Sequence, residues 1–559
     1  MVSIFLSWSC MFISAYILGG GIINLIYKKN AENLKKIDIY LICGIMVVNV
    51  YAEIVSLFFR VGKGAIIGLV FLVVLMLIIM FKQGIILPLS IRLKWEQGIV
   101  LFFSIVITAF WTLSKINYYD TYLYHAQAIH WIEEYGVVKG LGNLHNRLAY
   151  DSAFMCYQAL FSFKWLLGQS LHAANGFICV LFLTYAILTN GILHKKKLDL
   201  SDLFKCGMVY YIVQHRTEIS SANTDMLPML LAVYIFTKWA EFEEGQVEVI
   251  EPWAFLCIFS VYGATVKLSV AALVIFTIYP LALIIKNKKW FMMIRNLIGG
   301  FLVALPFLVR NVIISGYLLY PYPQIDLFSV DWKMLESVAT FDKREIIVWG
   351  RAVKDVKRYQ ETILEWLPEW YIKQTQTGKI LFIVGSISTL CCIIYLFELV
   401  RKKKTKKLIL VLTCLASLCM WFFTAPLMRY GQVYLVLPIC ITMYWIKEHE
   451  KCIIGLNVLV STILILLFSE YVIKWKEYTT LPLLLQQDYE DKEVKKLNFE
   501  NITVYVPVEG DQSGYHPFPS TPYEKQLEMI ELRGDSLQEG FKVKDICKGK
   551  HLQNSGKEW

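Results

Sequence analysis

The sequence predicts an all-α integral membrane protein of about 12–14 transmembrane helices, with an external loop of amphipathic helices and a small external C-terminal α/β tail. Three observations predict it. Of 559 residues, 57% are hydrophobic and only 18% are charged, against about 25% charged in a soluble globular domain. Apolar runs near the ~20 residues that a spanning helix needs recur along the chain. Lysine and arginine collect in the short loops between alternate runs, the bias that orients membrane helices.

Runs of spanning length lie near 3–26, 37–59, 64–81, 97–114, 173–193, 291–314, 378–400, 408–424, 431–446 and 452–473. Shorter or broken runs lie near 203–214, 224–240 and 252–286. The last is too long for one span and holds Lys267 near its middle, so it divides there into two short helices. The count is then about 14, or 12–13 if a short pair dips and returns. Met1 to Ile26 has no basic n-region and no small-residue cleavage site, and reads as a retained first helix.

The basic clusters are Lys28, Lys29, Lys35 and Lys36; Arg92 and Lys94; Lys195 to Lys197; Lys286, Lys288 and Lys289; and Arg401 to Lys407. Each follows an odd-numbered span, which places them in the cytoplasm and both termini outside. The remaining inner loop, Glu241 to Glu251, is acidic, and acidic residues weigh little in topology. The chain divides into N-terminal helices (1–114), a first large external loop with interfacial helices (115–172), central helices (173–314), a second external loop (315–377), C-terminal helices (378–473) and an external soluble tail (474–559). In the tail, Ile502 to Val508 alternates like a strand. The expected location is the cell membrane, crossed many times, with the active face external.

Several classes are excluded. The net charge of +10 fits basic inner loops. No soluble stretch interleaves basic and aromatic residues, so no nucleic acid is expected as a partner. Most of the 13 cysteines lie in apolar runs and no CxxC pair occurs, which argues against a zinc site or a disulfide framework. No glycine-rich phosphate loop and no nucleophile elbow is present.

The polar residues that remain gather at the external ends of the runs. The first loop opens with YYDTYLYHAQAIHWIEEYG at 118–136. On a helix, Asp120, Tyr124, Gln127 and Trp131 share a face, and His125 joins Asp120 only if Asp120 stands at the helix start. There Asp120 can cap the helix, face a substrate, or do both. In GLGNLHNRLAYDSA at 140–153, His145, Arg147 and Asp151 stand close together, and the simplest pairing is a solvated Arg147–Asp151 contact. Asn223 and Asp225 open a helix in QHRTEISSANTDMLP, where both read first as caps. Lys267 interrupts an apolar run, which costs ~3 kcal/mol at bilayer depth unless it snorkels to the surface or meets a phosphate headgroup. Arg310 and Asn311 end a span before the aromatic turn GYLLYPYP that holds Tyr320, and Arg429 lies in FFTAPLMRYG. Lys267, Arg310 and Arg429 all break the rule that short outer loops avoid cations, which points to an anion on that side.

These pieces resemble the GT-C superfamily of membrane glycosyltransferases, in which an acid opens a large external loop that carries amphipathic helices. The segments YYDTYLYH, GLGNLHNRLAYDS, SSANTDM, TVKLS, GYLLYP and APLMRYG are also similar to those of an uncharacterised bacterial multi-pass family of that kind. Two departures stand out. Ser513 and Ser520 occupy the places of cysteines in that family's tail, which removes a tail disulfide. Leu427 and Met428 stand where an acid and a proline precede the arginine, which weakens a catalytic role for that loop.

The resemblance implies an inverting enzyme that moves a sugar from a polyprenyl-phosphate carrier to a cell-surface glycan or lipid acceptor, with membrane lipids as its other partners. By position, Asp120 would be the general base on an acceptor hydroxyl or would bind a divalent metal ion. Asp225 would be a second acid. Lys267, Arg310 and Arg429 would hold the phosphate, and Tyr124, His125, Gln127, His145, Arg147, Asn223, Asn311 and Tyr320 would complete the substrate site. The alternatives are a transporter or flippase of a lipid-linked saccharide, and a surface polysaccharide polymerase or ligase. A transporter would place polar groups at the bilayer midplane, commonly in related repeats. No internal repeat is present, and the polar groups lie at one edge.

Overall fold

A computed structural model describes residues 1–27, 32–88, 94–191, 198–449 and 482–548. The apolar run at 452–473 and the basic residues Lys28, Lys29, Arg92 and Lys195 to Lys197 lie outside the described residues.

The chain is mostly helical. Helices α1 (Val2–Ile26), α2 (Ile37–Phe58), α3 (Lys63–Lys82) and α4 (Trp95–Leu113) come first. The first loop follows, with a π-helical turn (Thr121–His125) and the short helices α5 (Ala126–Glu134), α6 (Leu141–Leu144), α7 (Ala153–Leu160) and α8 (Lys164–Leu167). The central helices are α9 (Ala174–Thr189), α10 (Leu200–Gln214), α11 (Met226–Glu244), α12 (Ile250–Val266), α13 (Ile278–Lys286) and α14 (Trp290–Ser315). The second loop holds α15 (Glu336–Gly350) and α16 (Ile363–Lys373), and α17 (Gln376–Arg401), α18 (Thr405–Thr424) and α19 (Met428–His449) follow it.

Eight helices among the described residues are long and apolar enough to cross a membrane. They are α1 to α4, the segment Leu268–Lys286, α14, α17 and α18. This is consistent with a multi-pass membrane protein, at a lower count than the 12–14 expected from the apolar runs. Helices α9 and α12 are apolar but have only 16 and 17 residues. Helix α10 has 15, and α11 ends in Lys238, Glu241, Glu243 and Glu244. The rim of the bundle is apolar and unpacked: Phe71 on α3 is 64% exposed and Phe397 on α17 likewise 64%. An outward phenylalanine at that exposure suits lipid as its solvent.

Helix α11 is the axis, buried on every side from Met226 to Ala240. Helices α1 and α2 pack through small residues. A side chain at Gly19 would collide with the Tyr40 carbonyl, and one at Gly44 with the Ala15 carbonyl, so only glycine permits that approach. The long run at 252–286 does divide at Lys267. Helix α12 stops at Val266, Lys267 is extended (φ −156°, ψ 124°), and a 3₁₀ stretch from Leu268 to Thr277 leads into α13.

The tail forms two antiparallel ladders, β1 (Val494–Phe499) with β2 (Ile502–Pro507) and β3 (Ile530–Leu532) with β4 (Phe541–Val543), together with short helices α20 (Glu524–Met529) and α21 (Asp545–Lys548). It is docked on the first loop. Phe541 N–H donates to the Lys139 carbonyl at 3.0 Å, and the Thr521 hydroxyl to the Leu144 carbonyl at 2.8 Å.

Candidate functional site

Four charged residues from distant parts of the sequence meet at the loop end of α11. Asp225, at the start of that helix, is the hub. Its carboxylate accepts a hydrogen bond from Lys267, another from the Tyr118 hydroxyl at 2.6 Å, and pairs with Arg429 Nε at 3.2 Å. Arg429 reaches across to Asp120 Oδ2 at 3.1 Å and to the Tyr430 hydroxyl at 2.9 Å, and Lys267 donates to that same hydroxyl at 2.8 Å. The aromatic rings take part: Lys267 Nζ lies 4.2 Å from the Tyr430 ring centre, and the Arg429 guanidinium 5.2 Å from that of Tyr118.

Exposure separates the roles. The Asp225 side chain is 2% exposed, whereas Asp120, Lys267 and Arg429 keep 24%, 23% and 29%. The buried carboxylate therefore holds the cations in place, and the other three keep part of their surface open. Lys267 does not snorkel away; the buried Asp225 carboxylate keeps it. Helix α12 breaks at that point because its next side chain turns toward Asp225.

The Asp120 carboxylate makes no cap bond to α5, contrary to one sequence expectation. It stands at the head of the π-helical turn and takes Arg429 instead. Wide turns of this kind recur at functional sites. The turn also shifts the register, so Asp120, Tyr124, Gln127 and Trp131 do not serve one face. Tyr124 stays beside the cluster, with its ring 4.2 Å from that of His125. Gln127 turns to the tail, donating to the carbonyls of Gly514 at 2.9 Å and Pro517 at 2.7 Å, and Trp131 is fully buried against Phe518.

His125 is 1% exposed, stacked near Tyr118, and neither ring nitrogen has a hydrogen-bond partner among the described residues. Burial pushes its pKa down to about 4, against the pull of Asp120 and Asp225. It is therefore neutral at pH 7, with one donor and one acceptor available beside the cluster.

The other expected site residues fall elsewhere. Arg310 is buried in a separate cluster, where it grips Asp151 through Nε at 3.1 Å and Nη2 at 3.0 Å and donates to the Ser56 hydroxyl at 2.6 Å. It is not brought to Asp120. Asn311 donates to the Phe307 carbonyl one turn back on its own helix, at 3.0 Å. Arg147 does not pair with Asp151; it bonds Glu345 at 2.6 Å and the Tyr150 hydroxyl at 2.9 Å. Tyr320 donates to Asp342 at 2.5 Å, and burial raises the carboxyl pKa of both Asp342 and Glu345. His145 is buried beside Tyr523, its pKa pushed down to about 3 by burial and then by Arg147. Asn223 lies two residues before Asp225, the N-cap of α11, and its side-chain oxygen accepts from the N–H groups of Asp225 at 3.0 Å and Met226 at 3.3 Å.

Among the described residues no three His, Cys, Asp or Glu side chains come together in a way that could hold a metal ion. Asp120 and Asp225 both face cations already, so the donor set does not fit the divalent ion that the resemblance allowed. Reading the residues alone missed Tyr118 and Tyr430. Each is adjacent or nearly adjacent to a selected charge, but tyrosine is common here, with 32 in the chain, and proximity in sequence did not mark them.

The fold and cluster define a many-helix protein, eight of its described helices long and apolar enough to cross a membrane, with a charged, aromatic-lined cluster at one end of its central helix. The chain belongs to the family DUF8201, a domain of unknown function, which matches residues 1–436 and so includes Asp120, Asp225, Lys267 and Arg429. No curated protein and no solved structure matches the chain.

Proposed function

We propose that the chain is an inverting membrane glycosyltransferase of GT-C type, working at the external face of the cell membrane with a polyprenyl-phosphate-linked sugar as donor. The observation that supports this most is the meeting of Asp120 with Lys267 and Arg429, residues more than 100 positions apart in sequence, at one half-exposed place. An acid next to two cations is what transfer from a phosphate needs. The acid accepts the proton of the acceptor hydroxyl as its oxygen attacks the anomeric carbon. The bond from that carbon to the phosphate oxygen breaks, and the cations stabilise the departing polyprenyl phosphate.

In this reading Asp120 is the base, Lys267 and Arg429 bind the phosphate, and Asp225 positions both cations. Arg429 couples the two halves. Its guanidinium contacts Asp120 and Asp225 at once. A phosphate that draws the guanidinium away would leave the Asp120 carboxylate free to meet the acceptor hydroxyl when the donor is in place. Neutral His125, buried behind the cluster, adds no charge to it.

The test is Asp120→Asn in the full chain, with insertion and expression checked alongside. Transfer, followed as release of polyprenyl phosphate or as surface glycan, is expected to fall by about 10²- to 10⁴-fold, the usual contribution of a general base. Wild-type transfer by that variant would exclude this mechanism.

A further inference from the structure

We propose that the face formed by Tyr119, Tyr523, Arg147 and Glu345, beside Asp120, is a subsite for an uncharged saccharide acceptor; the assignment rests on the transferase reading above. Three separate parts of the chain build it. Tyr119 precedes Asp120 and is 53% exposed. Its hydroxyl donates to Asp511 of the tail, and Gln512 of the tail donates back to the Tyr119 carbonyl at 3.0 Å. Tyr523, also of the tail, interacts electrostatically with Arg147, Glu345 and Asp511. Arg147 comes from the first loop and Glu345 from α15 in the second, joined at 2.6 Å.

The chemistry of this face differs from that of the cation pair. The Arg147 guanidinium pairs with Glu345, Asp342 lies fully buried behind it, and Asp511 bonds Tyr119. That balance repels a phosphate and suits a neutral polyol, whose hydroxyls can donate to carboxylates and accept from the guanidinium. Arg147 Nε is buried and has no partner among the described residues, so the guanidinium has donor capacity left. An exposed tyrosine ring offers a flat apolar surface to the C–H face of a pyranose. The Tyr150 ring, 5.3 Å from the Arg147 guanidinium and 6.1 Å from the Tyr124 ring, connects this face to the cluster around Asp120. A hydroxyl of a sugar held here would lie on the Asp120 side, where the proposed base takes its proton.

The experiment is saturation-transfer NMR on the full-length chain in lipid nanodiscs, with methyl α-glucoside, methyl α-galactoside and methyl α-mannoside as probes. At least one is expected to receive saturation. Tyr119→Ala should weaken its binding about tenfold, the size of one aromatic contact. Tyr119→Phe, which keeps the ring and loses only the bond to Asp511, should bind nearly as the parent does. Inorganic phosphate should leave the glycoside signal in place. The proposal is overturned if no glycoside binds, if Tyr119→Ala binds as well as the parent, or if phosphate displaces the sugar. Because the readout is binding, the two readings fail separately. Glycoside binding that depends on Tyr119, together with wild-type transfer by Asp120→Asn, would keep the subsite and discard the proposed catalysis.

Discussion

Two clusters, each of two acids and two cations, sit about 24 Å apart along α11 at 1.5 Å per residue. At the C-terminal end of α11, Lys238 bonds Asp38 at 2.5 Å and Glu241 at 2.8 Å, and Lys205 pairs with Glu241 at 2.9 Å. Tyr234 and Tyr185 add hydroxyl donors to Asp38 and Glu241 at 2.8 and 2.7 Å. At the loop end, Asp120, Asp225, Lys267 and Arg429 use the same kinds of groups. The C-terminal cluster is closed, its lysines 1% and 3% exposed, whereas the loop-end cations keep 23% and 29%. A closed network joins helix ends. One of similar charge stays half-open, beside a buried histidine whose ring nitrogens have no partner among the described residues.

The largest expected effect lies in the closed cluster. Lys238→Met leaves the half-buried Asp38 and Glu241 facing each other without their shared cation, itself 1% exposed. Removing one partner of a buried pair costs about 3–5 kcal/mol. Denaturant unfolding in detergent measures it, and a loss below about 1 kcal/mol would mean that the two clusters do not differ as described. Lys267→Met should behave otherwise. Asp225 retains Tyr118 and Arg429, so the stability loss is expected to stay under about 2 kcal/mol. Its main effect should be on the phosphate: the apparent donor affinity should fall about tenfold or more, the weight of one charge-assisted hydrogen bond. A variant that unfolds like Lys238→Met would make the loop-end cluster structural too.

The same contrast shows what could be read in the sequence. Lys267, Arg429, Asp120 and Asp225 were each visible because an ionised group at the edge of an apolar run is costly and needs a reason. The break at Lys267 and the bounds of α14, α17 and β2 followed from periodicity and run length. Partners were a different matter. Arg310 with Asp151, and Arg147 with Glu345, are separated by 159 and 198 positions. The nearer choice, Arg147 with Asp151, was the wrong pairing because local spacing carries no information about packing between helices. The docking of the tail was hidden for the same reason. Gln127 and His145 are ordinary polar residues in sequence, and only the coordinates show that Gln127 grips tail carbonyls and that His145 is buried beneath Tyr523.

The smallest expected effect sharpens the role of His125. Its folded-state pKa of about 4 lies below the ordinary value of 6.5. Below pH 6.5 the unfolded chain therefore takes up a proton that the folded chain refuses, and stability falls as the pH drops toward 4. Between pH 6.5 and 5.5 this group alone should remove about 1 kcal/mol. Thermal unfolding in detergent across that window measures it, with His125→Gln as the comparison, since glutamine keeps a donor and an acceptor and does not titrate. The acid limb should be shallower in the variant by about that amount. If the two limbs coincide, His125 is not held neutral by burial. Its ring would then be reached by solvent or by a carboxylate, and the loop-end cluster would be more open than its exposures indicate. If the limb flattens as expected, a neutral imidazole is maintained beside two carboxylates and two cations, an environment in which burial outweighs the pull of the acids.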